Sequence, residues 1–377
     1  MENKFRMVLN RHILLLLVAI CLTSCVLSVD EVRDSNRTVL VYIGRDNSLR
    51  SSSEEKIESL MKGWDGSNGH LIIYQDLYDS GSVLEEIYVD NGVKKTRLLD
   101  SHLEDNSASA AVFERVLRQV VSEYPADSYG LVLFSHASGW LPDATLSSPR
   151  SLETRALVQD NANWMSLRDF ASVIPDGQFD FIVFEACFMS GIEVAYELRN
   201  KTNFILASSA EILSPGFKSI YETSTNELFR TPAGLETFAR RAFEEVDAKQ
   251  GELRSATFSL IKTAGLYELS YWLGASIDTS VVVNLRDVQH FDRYSYHLFF
   301  DFEDYFSRLL GSDADVAELQ RLIANCVVYH AATPDFMPSS LGFEVKKHSG
   351  LTTYVRQSGF PYLNERYREL EWFKNVF

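Results

Sequence analysis

Cysteine is scarce in this chain. Its 377 residues hold four, and two of them, Cys21 and Cys25, fall in the first 25, so the remainder cannot build a disulfide framework. Basic residues are few beside acidic ones: 36 Lys and Arg against 52 Asp and Glu, a net charge of −16. That balance argues against a nucleic-acid surface, because phosphate contacts require clustered Lys and Arg. An acidic protein acting on basic partners fits it better. The nine prolines gather in no linker within the folded part, and there is no internal repeat or low-complexity tract. Of the eight histidines, those at 70, 102, 290, 297, 330 and 348 show no metal-ligand spacing, and no HExxH occurs. A Gly-x-Ser-x-Gly elbow is missing as well, which argues against a serine-type α/β hydrolase. What is present is globular material, 46% hydrophobic and 23% charged, enough for a large core.

The N-terminus reads as an address. Lys4, Arg6 and Arg11 precede the apolar run from Ile13 to Leu22, too short to span a bilayer comfortably. The run ends in Leu22-Thr23-Ser24-Cys25, which resembles a bacterial lipobox, in which the cysteine is lipidated and becomes the mature N-terminus. Residues 1–24 are therefore expected to be a lipoprotein signal peptide, with Cys25 as the lipidation site and residues 25–37 as a tether. Removing the signal takes away one acidic and three basic residues, so the charge moves from −16 to −18. The expected location is the bacterial cell envelope, lipid-anchored at the outer membrane or cell surface, with plain secretion as the alternative. Cys187 and Cys326 remain.

Beyond the tether the pattern is strand, helix, strand. Thr38 to Gly44 (TVLVYIG) is a continuous apolar run closed by the turn signal Arg45-Asp46-Asn47. A helix is expected from a cap at Ser51–Ser53, with Glu54 and Glu55 in its first turn. Residues 107–124 place Val112, Phe113, Val116, Leu117, Val120 and Val121 at amphipathic-helix spacing. Further strands are expected over 71–74, 129–134, 179–184 and 203–207. Buried runs without alternation, separated by helices, predict a mostly parallel sheet covered on both faces. After Gly251 a strand is expected over 255–261, helices over 290–310 and 313–325, and a late strand over 351–355.

The chemistry gathers at two strand ends, GLVLFSHASGW (130–140) and DFIVFEACFMSGIEVAYEL (180–198). Ligands of an open parallel sheet collect at the carboxyl ends of its strands. A His and a Cys leaving two such ends can face one another across a short gap. A helix directly after the Cys would add its N-terminal amides to the stabilisation of a thiolate. A lone Cys after an apolar strand is more often a buried small hydrophobe, which is the reading adopted for Cys326. Acidic clusters such as 301–304 read as solvated helix faces, with calcium dependence left open.

These two segments resemble the clostripain family of cysteine peptidases, which carry a His-Gly-x-Gly-Trp segment and an Asp-x-Cys-Leu-Met segment. The likeness extends to VLVYIGRDNSL (39–49), to residues 203–216 and more loosely over 38–377. It implies a caspase-like α/β/α sandwich with a mostly parallel central sheet and a C-terminal helical extension, here a peptidase core at 38–265 and an extension at 266–377 packed on it. It implies His136 as the catalytic imidazole, Cys187 as the nucleophile, backbone N–H groups for the oxyanion, and Trp140 as structural. Two positions depart from the family: Ala137 stands for a glycine beside the oxyanion donors, and Glu185 stands for the acid that helps receive Arg or Lys at the cleavage point. Glu211 is a second acidic candidate. No cofactor is implied, and the implied partners are protein or peptide substrates with Arg or Lys at the cut. Relatives often cut themselves between the two motifs, and here that interval, 141–155, offers Arg150 and Arg155. A degenerate lipoprotein that binds peptides without turnover is the alternative.

Overall fold

The computed structural model describes residues 36–44, 50–77, 81–103, 105–142, 157–160, 163–230, 232–339 and 341–377. Cys25, Arg150 and Arg155 lie outside the described residues.

Twelve strands position the site. They are β1 (Arg37–Ile43), β2 (Gly69–Asp76), β3 (Ser82–Asp90), β4 (Val93–His102), β5 (Ser128–Phe134), β6 (Val158–Asp160), β7 (Asn163–Met165), β8 (Phe179–Glu185), β9 (Thr202–Ser208), β10 (Thr257–Lys262), β11 (Phe300–Asp301) and β12 (Val327–Ala332). Nine of these form one sheet in the order β12-β10-β9-β8-β5-β1-β2-β3-β4. Its middle is parallel, through β9, β8, β5, β1 and β2. Both flanks are antiparallel.

The continuous apolar runs follow from burial on both sides. Along β1, Leu40 and Tyr42 join one apolar layer, while Val39, Val41 and Ile43 join the other. The first layer takes the helices Ala110–Glu123, Leu167–Val173, Ile192–Glu197, Leu266–Ser276 and Asp313–Cys326. The second takes Arg50–Gly63, Lys218–Ser224 and Pro232–Asp247. Each fully buried Val, Leu, Ile or Phe stabilises the fold by about 1.5–3 kcal/mol, and nearly every residue of β5 and β8 from Gly130 and Phe181 onward is of this kind. The two strand ends that bear the motifs therefore emerge from the buried, apolar middle of the sheet.

Several boundaries differ from the sequence expectations. The helix expected from a serine cap starts at Arg50, so Ser51–Ser53 sit inside its first turn. The helix expected over 290–310 is reduced to Phe302–Phe306 and a 3-10 turn at Ser307–Leu309. Asp292 explains the loss. Its buried carboxylate accepts the N–H groups of Tyr294, Leu298 and Phe299 at 3.2, 2.8 and 3.0 Å, bonds that compete with helical ones and wind the segment into a loop. The late strand is only Thr352–Thr353, and it pairs with β11 rather than with the main sheet. Residues 266–377 supply the edge strand β12 of the central sheet as well as helices on its first face.

The acidic cluster has internal partners. Asp301 caps its helix by accepting Asp304 N–H at 2.9 Å and also accepts Ser349 N–H at 2.7 Å. Asp304 pairs with Lys347 and Arg308 at 2.7 and 3.1 Å.

Candidate active site

Phe134, the last residue of β5, is in register with Glu185, the last residue of β8. His136 and Cys187 each follow by two positions. Equal offsets from a paired position on adjacent parallel strands, which run about 4.8 Å apart, bring the imidazole and the thiol to the same carboxyl edge. Phe134 belongs to the second apolar layer, under the helix Arg50–Gly63, while Cys187, beyond the end of β8, packs against the first. His136 and Cys187 both line one cavity of about 80 Å³, together with Lys56, Phe134, Glu185, Ile212, Leu213 and Gly216. A larger cavity, of about 520 Å³, opens beside Trp140, Arg168 and Tyr362. No thiol or imidazole lines it, so size alone does not mark the site.

The chain turns sharply after the thiol. Phe188 has φ +61°, a conformation that a bulky residue adopts only where its surroundings impose it. Its N–H donates to Ala210 O at 3.0 Å, and its ring stacks on Phe299 at 4.4 Å. Gly139 meets this turn from the histidine loop. It too is left-handed, and a Cβ there would lie 2.8 Å from the Phe188 carbonyl oxygen and 3.2 Å from the Phe299 ring. Glycine is required, because the two motif loops approach each other closely here.

The helix expected directly after Cys187 begins only at Ile192 and has six residues, with turns between. Its dipole is therefore not what meets the sulfur. The N–H of Ile212 is, donating to Sγ at 3.4 Å from the segment that follows β9. Ala137 is buried in the first apolar layer and is not among the residues of positive φ. Its methyl group costs no backbone strain where the family motif has glycine. Trp140 is buried against Tyr354 and Tyr367, with ring centroids at 5.2 and 5.4 Å, a packing role.

Glu185 is at the cavity floor and is 2% exposed. One carboxylate oxygen pairs with the Lys56 ammonium and accepts Phe217 N–H at 2.7 Å. The other accepts the Tyr221 hydroxyl at 2.7 Å. Lys56 also lies over the Phe134 ring, 3.4 Å from its centroid. Burial pushes the Lys56 ammonium below its ordinary value, and Glu185 opposes that shift. Gly216, with φ +62°, brings its backbone against this pair, where a Cβ would collide with Glu185. Glu211 lies elsewhere. It lines a small neighbouring cavity and holds Arg293 in a two-pronged pair at 2.7 and 2.8 Å. Sequence reasoning missed Lys56, Phe217, Tyr221 and Ile212, although Lys56 left a trace: it falls on the stripe of its helix that buries Ser53, Ser59 and Leu60. Cys326 is buried in the first layer, and burial pushes its thiol up to about 12.

A parallel-centred sheet between two helical layers, with an imidazole and a thiol over neighbouring strand ends, defines the caspase-like class of α/β folds. Residues 41–332 match the clostripain family, and the chain belongs to that family. It is 28% identical to the clostripain of Hathewaya histolytica over 216 residues, which are 48% of this chain and 40% of that protein. The match thus spans less than half of that curated relative. Among solved structures it is similar to an inactive zymogen C11 protease from Parabacteroides distasonis, with 32% identity, a TM-score of 0.79, and 92% of this chain and 100% of that one covered. It is also similar to a secreted C11 cysteine protease from Bacteroides thetaiotaomicron solved with an irreversible peptide inhibitor, with 25% identity, a TM-score of 0.79, and coverage of 90% and 98%.

Proposed function

We propose that this chain is a cysteine endopeptidase in which Cys187 is the nucleophile and His136 the general base and acid. The observation that carries the reading is the placement of both residues two positions beyond a registered pair, facing one cavity. His136 takes the Cys187 proton as sulfur attacks the scissile carbonyl carbon. Backbone N–H groups of the two loops meet the oxyanion, and the close approach of Gly139 to the Phe188 carbonyl keeps those loops side by side. The imidazolium then protonates the departing amine, leaving a thioester. Water, deprotonated by His136, releases the acid and restores the thiol. Cys187, His136 and backbone donors supply the groups for each step.

Iodoacetamide at neutral pH is expected to alkylate Cys187 and not Cys326, and to stop casein hydrolysis as it does so. Peptide mapping by mass spectrometry reads the site, and alkylation of Cys187 with undiminished hydrolysis would sink the proposal. A relative that binds peptides without turnover would be alkylated with no hydrolysis to lose.

The preference for Arg or Lys implied by the family rests on a carboxylate offered to the substrate. Both candidate acids here already hold an internal cation, Lys56 on Glu185 and Arg293 on Glu211. A basic side chain entering the cavity would meet Lys56. Self-cleavage after Arg150 or Arg155 depends on the same point.

We also propose export and lipid anchoring through Cys25, supported by the Leu22-Thr23-Ser24-Cys25 sequence and by the secreted relative. Wild type is expected in the membrane fraction and Cys25→Ser in the soluble one; equal recovery of both with membranes contradicts this.

A further inference from the structure

The turn that carries Cys187, residues 187–190, is not held by its own motif alone. A late segment of the chain lies along it. Thr352 N–H donates to the Ser190 carbonyl at 3.1 Å, and Thr352 pairs in parallel with Gly191. Glu193, in the first turn of the helix Ile192–Glu197, extends the contact. Its Oε1 accepts the Tyr354 N–H at 2.8 Å and the Thr353 hydroxyl at 3.0 Å, 160 positions further on. The Ser190 hydroxyl lies 2.7 Å from that of Ser209, which is 3.1 Å from His348 Nε2. Residues 190–193 are thus tied to positions 348–354 directly and through Ser209.

Glu193 is costly at this place. It is 1% exposed, and burial pushes its carboxyl up to about 7 against the pull of its hydrogen bonds. The groups against it are the Tyr354 N–H and the Thr353 hydroxyl, with the Tyr367 phenol beside them; none of these is a cation. A leucine would fill the space without the desolvation cost. It could not accept the two donors, and segment 352–354 would lose its hold on the helix. Only Phe188 and Met189 separate Cys187 from the tied residues. A shift at Ser190 therefore moves the sulfur relative to His136, and a misplacement of about 1 Å costs on the order of 10²-fold in rate.

We propose that Glu193 is a positioning residue for the nucleophile: by holding segment 352–354 against residues 190–193, it sets the Cys187 sulfur opposite His136. Residues far beyond both motifs then belong to the apparatus of the active site. The inference rests on the peptidase reading above for its effect on turnover, though not for its effect on the thiol.

Two measurements test it, each made well below the melting temperature of the variant. The first is hydrolysis of a quenched peptide that spans a bond wild type cuts in casein. Glu193→Ala removes the acceptor and is expected to lower kcat about tenfold or more, with KM within about twofold of wild type. Glu193→Gln keeps an Oε1 acceptor in the same space and is expected to hold kcat within about threefold. Thr353→Val deletes one donor with less disturbance of the core, and is expected to lower kcat by about threefold. It stands in for Glu193→Ala should that protein not fold.

The second is the pH profile of Cys187 alkylation by iodoacetamide, mapped by mass spectrometry. Wild type and Glu193→Gln are expected to react at pH 6, where an aligned imidazole maintains a thiolate. Glu193→Ala is expected to react about tenfold more slowly there, and to approach wild type only near pH 9, above the ordinary thiol pKa of about 8.5. A merely structural role would lower the melting temperature and leave kcat and the profile of the folded protein unchanged. That result overturns the proposal, as does a Glu193→Gln protein as impaired as Glu193→Ala. A wild type that hydrolyses nothing overturns the peptidase reading instead, and the alkylation profiles then decide this proposal unaided.

Discussion

Cys187→Ala is expected to lower peptide hydrolysis by on the order of 10³-fold or more, and His136→Ala by about 10²–10⁴-fold. Neither should cost much stability. Cys187 is only partly buried and packs at the margin of the first apolar layer, and both residues lie beyond the ends of their strands. The two effects should also be non-additive. Once the sulfur is gone the imidazole has no proton to take, so the double variant should be barely worse than Cys187→Ala alone. Melting curves close to wild type, alongside lost turnover, are the signature of a chemical defect. Retention of more than about a tenth of wild-type activity in Cys187→Ala would remove sulfur from the mechanism.

The second large effect is on stability. Glu185→Gln removes the charge partner of Lys56 while both side chains stay within the second layer. Stripping one partner from a buried pair costs about 3–5 kcal/mol, because the remaining charge is left without compensation. The loss has a pH signature. Burial holds the folded Lys56 below the ordinary lysine value, and Glu185 is the group that opposes the shift; without it the folded value falls further. A lysine whose folded pKa is depressed binds fewer protons in the native state than in the unfolded chain, so stability rises with pH up to the unfolded value. The deficit of Glu185→Gln relative to wild type should therefore be larger at pH 6 than at pH 9 in urea titrations. Lys56→Met/Glu185→Gln should recover most of it, because neither charge is then buried alone. A single variant as stable as wild type at pH 6 would mean that the pair is not desolvated.

How far the sequence foretold these features depends on where the governing partner lies. The parallel middle of the sheet was legible because β1, β5, β8 and β9 are apolar runs whose cause, burial on two faces, is written within each run. His136 and Cys187 were legible because each sits in a motif that directly follows an apolar strand run, and the structure then sets both at equal offsets from paired strand ends. The hairpin of β3 and β4 carried its signal in Asn91-Gly92, both at positive φ, 51° and 75°, a two-residue turn of the primed type. It was passed over because β4 is polar and largely exposed and lacks the apolar run that marked the other strands. The segment after Phe291 was misjudged for a different reason. Its aromatic spacing is helical, but one aspartate side chain, Asp292, captures the backbone N–H groups that a helix would use. The surroundings of Glu185 were the least legible part. Glu185 could be placed two residues before the nucleophile, but its partner is 129 positions earlier, on the buried stripe of a helix where a lysine reads at first as a surface residue.

The most direct measurement of the central claim is the mass spectrum of the purified protein after exposure to a peptidyl acyloxymethyl ketone. The account predicts a single thioether adduct, located on Cys187, formed in step with loss of casein hydrolysis and strongly slowed in His136→Ala. Full hydrolysis with Cys187 carrying the adduct, or complete inhibition with the adduct on another residue, would contradict it.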